Sequence, residues 1–161
     1  MRVYTKLDSI IGELFLVAEG EQLSVIHFGE ADFQENESGK TVVFQPEHSV
    51  LLECKAQLTE YFEGKRRLFD LPLASVGTEF QKAVWHQLTL IPFGETRSYL
   101  DIAKSIGNPK AVRAIGQANK ANRYPIIIPC HRVIGKNQAL TGYAGTRVDL
   151  KEKLLQLEGV L

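Results

Sequence analysis

The chain has 161 residues, 44% of them hydrophobic and 24% charged, which fits one medium globular unit or two small subdomains and excludes a disordered tail. No apolar run approaches the roughly 18 residues of a membrane span, and the start Met1-Arg2-Val3-Tyr4-Thr5-Lys6 lacks the apolar stretch of a secretory signal, so a soluble, cytoplasmic protein is expected. The zero net charge hides a polarity: residues 1 to 77 hold 7 Lys and Arg against 13 Asp and Glu, a net of −6, and residues 78 to 161 hold 12 against 6, a net of +6.

Short apolar runs at Val3 to Leu7, Leu14 to Ala18 and Leu23 to Phe28, broken by Asp8-Ser9, Gly12 and Glu19 to Gln22, predict three strands of an antiparallel sheet. Residues 29 to 47 are polar and without a strong period, which predicts a loop holding one short strand, Thr41 to Phe44. The spacing Leu51, Cys54, Leu58, Tyr61, Phe62 then makes one helical face ending at Gly64, with Cys54 as an inert core thiol. Asp70 to Gly77, which contains Pro72, is the linker, so the domains expected are 1–77 and 78–161.

Thr78 with Gln81 three residues on is a capping box, and Phe80, Val84, Leu88 and Ile91 follow on one stripe, predicting a helix from about 79 to 90. Ser98 and Asp101 offer a second cap before Tyr99, Ile102, Ala103 and Ile106, a helix that stops at Gly107. With Asn108 as N-cap and Pro109 as first residue, another helix should begin at once and run through Lys110 to Ala118. Two helices on a tight Gly-Asn-Pro turn form a helix-turn-helix pattern. Between Arg97 and Lys136 eight basic residues are opposed only by Asp101. A polyanion could dock there, though a solvated basic face would carry the same charges. In the second helix Ala111, Ala114, Gly116 and Ala118 surround Arg113. Such small residues suit either a close approach to a narrow groove, with Arg113 protruding, or tight packing inside the core.

The stretch Tyr124-Pro125-Ile126-Ile127-Ile128-Pro129-Cys130-His131-Arg132-Val133-Ile134 is the most informative. The three Ile predict a short buried strand, and Pro129 fixes the backbone where Cys130 begins. His131 and Arg132 put a base and positive charge near the sulfur, which favours thiolate. Sequence neighbours usually point apart, however, so a structural Cys beside an unrelated His is the default without more evidence. Two cysteines, Cys54 and Cys130, form no disulfide framework, and without a second Cys or His pair at ligand spacing they make a poor zinc site.

Pro129-Cys130-His131-Arg132-Val133, with Asn122 and Arg113 upstream and Gly142-Tyr143-Ala144-Gly145 downstream, closely resembles the O6-alkylguanine-DNA alkyltransferases from about Thr78 to Gly159. The first half lacks the Cys and His set that makes a zinc site in some relatives, and Arg123-Tyr124 follow Asn122 where many members have Pro. The resemblance implies an α+β fold: a small N-terminal antiparallel sheet with a helix, ribonuclease H-like, then a mainly helical, winged-helix-like domain with the helix-turn-helix. It implies single-turnover repair of O6-alkylguanine, and possible action on O4-alkylthymine, with no cofactor and no metal. The protein would be a monomer, bound through the minor groove of double-stranded DNA.

Residue by residue, the resemblance implies Cys130 as alkyl acceptor, His131 as the base acting through a water, and Glu158 as the group that orients His131. Tyr99 would donate to the guanine ring and help rotate the phosphate, Arg113 would fill the gap left by the flipped nucleotide, and Asn122 would tie the helix-turn-helix to the active-site strand. Lys110, Ala111, Ala114, Gly116 and Arg132 would contact DNA. Tyr99, Val133, Tyr143 and Ala144 would line the substrate pocket, the carbonyls of Cys130 and Val133 receiving the exocyclic amine and the Ala144 amide facing O6. Other readings of the same residues are a winged-helix regulator with a structural Cys130, a Cys-His hydrolase pairing Cys130 with His86, and a damage sensor without repair. The acceptor cysteine speaks against the last.

Overall fold

The computed structural model describes residues 1–135 and 148–161. The chain divides into two compact units, Met1–Ser75 and Val76–Leu161.

In the first unit β1 (Arg2–Ser9), β2 (Gly12–Glu19) and β3 (Gln22–Phe28) run antiparallel, and β4 (Val42–Phe44) adds parallel to β1, giving the order β3-β2-β1-β4. The three expected strands are present, but β4 makes the sheet mixed. Leu14 to Ala18 of β2 are buried without a break. Successive strand side chains point to opposite faces, so both faces of β2 must be covered. Phe15 and Val17 meet Phe33 of α1 (Gly29–Asn36), the two phenylalanine rings 4.6 Å apart. The helix α2 (Ser49–Phe62) also packs against the strands, burying Leu51, Cys54, Leu58 and Tyr61 as their spacing predicts.

Helix α1 corrects the expectation of a loop over that stretch. It buries only Phe33, so there is no stripe in the sequence to read. Tertiary contacts hold it instead. Just beyond its end the buried Glu37 accepts from Arg2 Nε at 2.6 Å and Nη2 at 3.0 Å, and lies 2.7 Å from His27 Nε2. Burial alone would raise the Glu37 carboxyl, but the bonds from Arg2 and His27 outweigh it and keep it below the usual carboxylate range.

The second unit contains α3 (Glu79–Thr89), β5 (Arg97–Ser98), α4 (Tyr99–Ser105), α5 (Val112–Lys120), a 3-10 turn (Cys130–Arg132), β6 (Val133–Ile134) and α6 (Val148–Leu157). Both expected capping boxes form, Thr78 with Gln81 and Ser98 with Asp101. Strands β5 and β6 pair in parallel, Arg97 beside Val133 and Ser98 beside Ile134, which brings the start of α4 to the end of the 3-10 turn. Val84, Leu88, Ile102, Ile115, Val133 and Leu154 make the core. Trp85 of α3 donates to the Ala118 carbonyl of α5 at 2.8 Å. A Cβ on Gly77, at φ +108°, would stand 2.8 Å from that indole, so only glycine fits before the cap.

The turn between α4 and α5 differs from expectation. Gly107 sits at φ 78°, and Ala111 N donates to Asn108 O at 3.0 Å, so residues 108 to 111 form a turn of their own. Helix α5 therefore begins at Val112 rather than Pro109, and its N-cap residue Ala111 makes no side-chain cap. Lys110 and Ala111 lie in that turn, ahead of the helix.

Candidate active site

The segment from Asn122 to Pro129 is not the expected strand. It folds back on itself, Ile128 N donating to Tyr124 O at 2.8 Å, and its buried Ile126 adopts φ 75°. For a β-branched residue that backbone is strained by about 1–3 kcal/mol and persists only where neighbours over-determine it. Asn122 is one such neighbour: its Nδ2 donates to Ile128 O at 2.8 Å and its Oδ1 accepts from Tyr124 N at 3.0 Å. Asn122 thus braces the loop that leads to the thiol. The side chain that reaches from α5 to the Cys130 backbone is a different one, Asn119, whose Nδ2 donates to Cys130 O at 3.3 Å. Asn119 was not legible in the sequence. Its apolar-facing position on α5 was the one available signal.

Cys130 starts the 3-10 turn, buried together with His131 and Arg132. His131 Nε2 lies 2.6 Å from Glu158 Oε2, and both side chains are wholly buried. Burial pushes the imidazole below its ordinary 6.5, more than the Glu158 bond raises it, so His131 is neutral at pH 7 and able to take a proton. The fold therefore joins two residues that are 27 apart in the chain. Glu158 is placed by the end of α6, where its amide donates to Leu154 O at 3.0 Å and Gly159 takes φ 81°.

Arg132 corrects the sequence reading. It was expected at the DNA surface, yet it is buried, gripping Glu158 with Nε at 2.8 Å and Nη2 at 3.0 Å while Nη1 donates to Ile91 O at 2.7 Å. A guanidinium committed in this way is not offered to a phosphate. It fixes the carboxylate that fixes His131.

Lys151 of α6 is a second residue that the sequence did not reveal. It is completely buried, its Nζ donates to the Val133 carbonyl, and the ammonium stands over the Tyr99 ring, 5.8 Å from the centroid. Tyr99, half-buried at the start of α4, thus lies beside Lys151, one residue beyond the strand whose Arg97 and Ser98 pair with Val133 and Ile134. Tyr143 and Ala144 fall outside the described residues. Among the described residues no group of three or more His, Cys, Asp or Glu is arranged to hold a metal ion.

On the opposite side of α5, Arg113, Ala114 and Gln117 are exposed while Ile115, Ala118 and Asn119 are buried. Apart from its chain neighbours and the backbone of its own helix, no described residue lies within 4 Å of where a Gly116 Cβ would stand. Packing within the described unit thus explains Ala118 but not the small side chains at Ala114 and Gly116. Lys110 is exposed in the preceding turn.

Two family models divide the chain between them: the 6-O-methylguanine DNA methyltransferase DNA binding domain matches residues 79–160, and the ribonuclease-like domain of the same family matches residues 2–75. The chain belongs to the 6-O-methylguanine DNA methyltransferase family. It is 48% identical to the constitutive methylated-DNA–protein-cysteine methyltransferase of Bacillus subtilis strain 168, over 99% of this chain and 97% of that one. The methylated-DNA–protein-cysteine methyltransferase of Methanosarcina acetivorans is 47% identical, over 97% of each. Crystal structures of the Mycobacterium tuberculosis O6-methylguanine methyltransferase, alone and in complex with DNA, superpose with a TM-score of 0.86 at 42% identity. The first covers 98% of this chain and 93% of its own, the second 97% and 92%. The reaction class of this methyltransferase is direct reversal of DNA alkylation, by transfer of the alkyl group to a cysteine of the protein, and DNA is its partner.

Proposed function

We propose that Cys130 is the acceptor and that the protein, a cytoplasmic monomer, removes the alkyl group from O6-alkylguanine flipped out of duplex DNA held through its minor groove. The observation that carries this reading is the contrast between the two thiols. Cys130 adjoins the buried His131–Glu158 pair, whereas Cys54 lies in an apolar stripe that pushes its thiol up to about 12. The thiol proton of Cys130 leaves by way of His131, and the sulfur electron pair forms the new S–C bond. The C–O6 bond breaks with its pair passing to guanine, which takes up a proton. Tyr99 donates to the departing base. The thioether has no easy hydrolysis route, so each molecule acts once.

A buried lesion must first leave the stack, at a cost of a few kcal/mol. The exposure of Arg113 beside the small residues Ala114 and Gly116 of α5 supports an approach to the groove floor in which Arg113 occupies the vacated space, and Lys110 supports a phosphate contact. The test is incubation with DNA carrying labelled O6-methylguanine, followed by peptide mass. One methyl group on Cys130, and none on the Cys130→Ala protein, is expected. Label retained by Cys130→Ala contradicts the reading.

A further inference from the structure

The mechanism above leaves one buried cation unused. Among the described residues, the charged or titratable side chains gathered around the 3-10 turn are Cys130, His131 and Arg132 on the turn itself, Lys151 and Glu158 from α6 and its end, and Tyr99 from α4. Arg132 and Glu158 are bound to each other through two hydrogen bonds, so their opposite charges are spent on one another. His131 is neutral. Lys151 adds a further positive charge, its Nζ bound to the Val133 carbonyl.

We propose that the Lys151 ammonium is the counter-charge of the Cys130 thiolate, so that the nucleophile exists as a buried cysteine–lysine ion pair that His131 serves by carrying the proton. The geometry places the ammonium by tethering it to the carbonyl of Val133, three residues after Cys130, and by seating it over the electron-rich face of Tyr99. Helix α6 packs against the turn that carries the thiol. A buried ammonium is expensive to keep charged. Burial accordingly pulls Lys151 down to about 8, and the charge of Cys130 opposes this fall. Coulomb attraction is mutual, so whatever Cys130 does to hold the proton on Lys151, Lys151 does equally to keep the proton off Cys130.

The pair also explains a division of labour. His131, on accepting the thiol proton, becomes an imidazolium whose charge Glu158 already faces. Lys151 adds a fixed positive charge for the thiolate without moving. Alkylation turns the thiolate into a neutral thioether, the ammonium then loses the opposing charge, and its affinity for its proton drops.

This inference rests on Cys130 being the acceptor, so the test reads the thiol and not the DNA reaction. Iodoacetamide alkylation of Cys130 is followed against pH, by peptide mass, in wild type, Lys151→Met and Lys151→Gln, each checked for an intact thermal transition. An opposite charge at short range shifts a titration by about one to three units. Both variants are therefore expected to titrate at least about one unit higher than wild type, reacting about tenfold more slowly at any pH below both midpoints. Profiles that coincide with wild type overturn the pairing. A wild-type profile for Lys151→Gln alone also overturns it, because the amide keeps a hydrogen bond to Val133 but no charge.

A measurement on the unmutated chain guards against misfolded variants: competitive acetylation of Lys151 against pH, before and after carboxamidomethylation of Cys130. The Lys151 midpoint is expected to fall once sulfur is neutral, and an unchanged midpoint contradicts the proposal. Transfer from O6-methylguanine DNA is scored separately on the wild type, so failure of the acceptor reading and failure of the ion pair give different results.

Discussion

The two cysteines stand in opposite kinds of interior. Cys54 lies on α2 among Leu51, Leu58 and Tyr61, all fully buried, and burial alone drives its thiol up to about 12. Cys130 is nearly as buried, but it starts the turn whose His131 and Arg132 bind Glu158 and whose next residue, Val133, holds Lys151. On the proposed reading, burial is not what separates an inert thiol from a reactive one. The apolar interior penalises the thiolate with nothing in return, whereas the charges and hydrogen bonds of the polar interior would favour it.

The comparison breaks most visibly at Glu158, which serves two partners. Glu158→Gln leaves the Arg132 guanidinium buried without its carboxylate, and removing one member of a buried ion pair costs about 3–5 kcal/mol. It should also raise the pH at which Cys130 titrates, since His131 loses the carboxylate that orients it. Chemical denaturation and iodoacetamide profiles check the two effects separately. An unchanged stability would mean that the Arg132 grip contributes nothing. The sequence reading assigned Glu158 only the second role, because Arg132 was assigned to DNA. Nothing in a basic residue beside a catalytic motif distinguishes an outward guanidinium from one that turns inward.

Replacing the other thiol sharpens the contrast from the opposite side. Cys54→Ala opens a small cavity and should lower stability by about 1–2 kcal/mol, as core truncations do, while transfer stays at the wild-type rate. A variant with impaired transfer and normal stability would show that Cys54 has a part in the reaction.

A smaller effect distinguishes the two interiors by pH. His131 is held neutral by burial, so its folded affinity for a proton is lower than in the unfolded chain. Below pH 6.5 the unfolded chain binds more protons than the folded one, and stability must fall as the pH drops. This window lies above that of ordinary carboxylates. The thermal midpoint should therefore decline between about pH 6.5 and 5, and the decline should flatten in His131→Gln. Equal slopes would mean that another group titrates there.

The parts of this structure that were legible in the sequence share a local cause. The three strands, α2 and both capping boxes follow from apolar spacing and cap residues within a few positions of each other. What was missed depends on distant partners. Helix α1 shows no apolar stripe because Phe33 alone anchors it, with Glu37 held by Arg2 and His27 across the sheet. Ile126 takes a backbone that propensity forbids, because Asn122 braces the loop around it. Asn119 and Lys151 look like ordinary helix residues, and only packing shows that they reach the carbonyls of Cys130 and Val133. The resemblance carried Cys130, His131 and Glu158 as candidates. Asn119 and Lys151, which come from separate helices, could not be read the same way.

The most direct test of the contrast uses a single native molecule. Iodoacetamide is added across a range of pH, and the modification of Cys130 and Cys54 is quantified in the same digest. Cys130 is expected to react with a midpoint below the roughly 8.5 of a free cysteine, while Cys54 stays unmodified until the protein unfolds, in keeping with a thiol pushed up to about 12. If both cysteines remain silent until unfolding, or Cys54 reacts first, the account of Cys130 as an electrostatically activated acceptor is wrong.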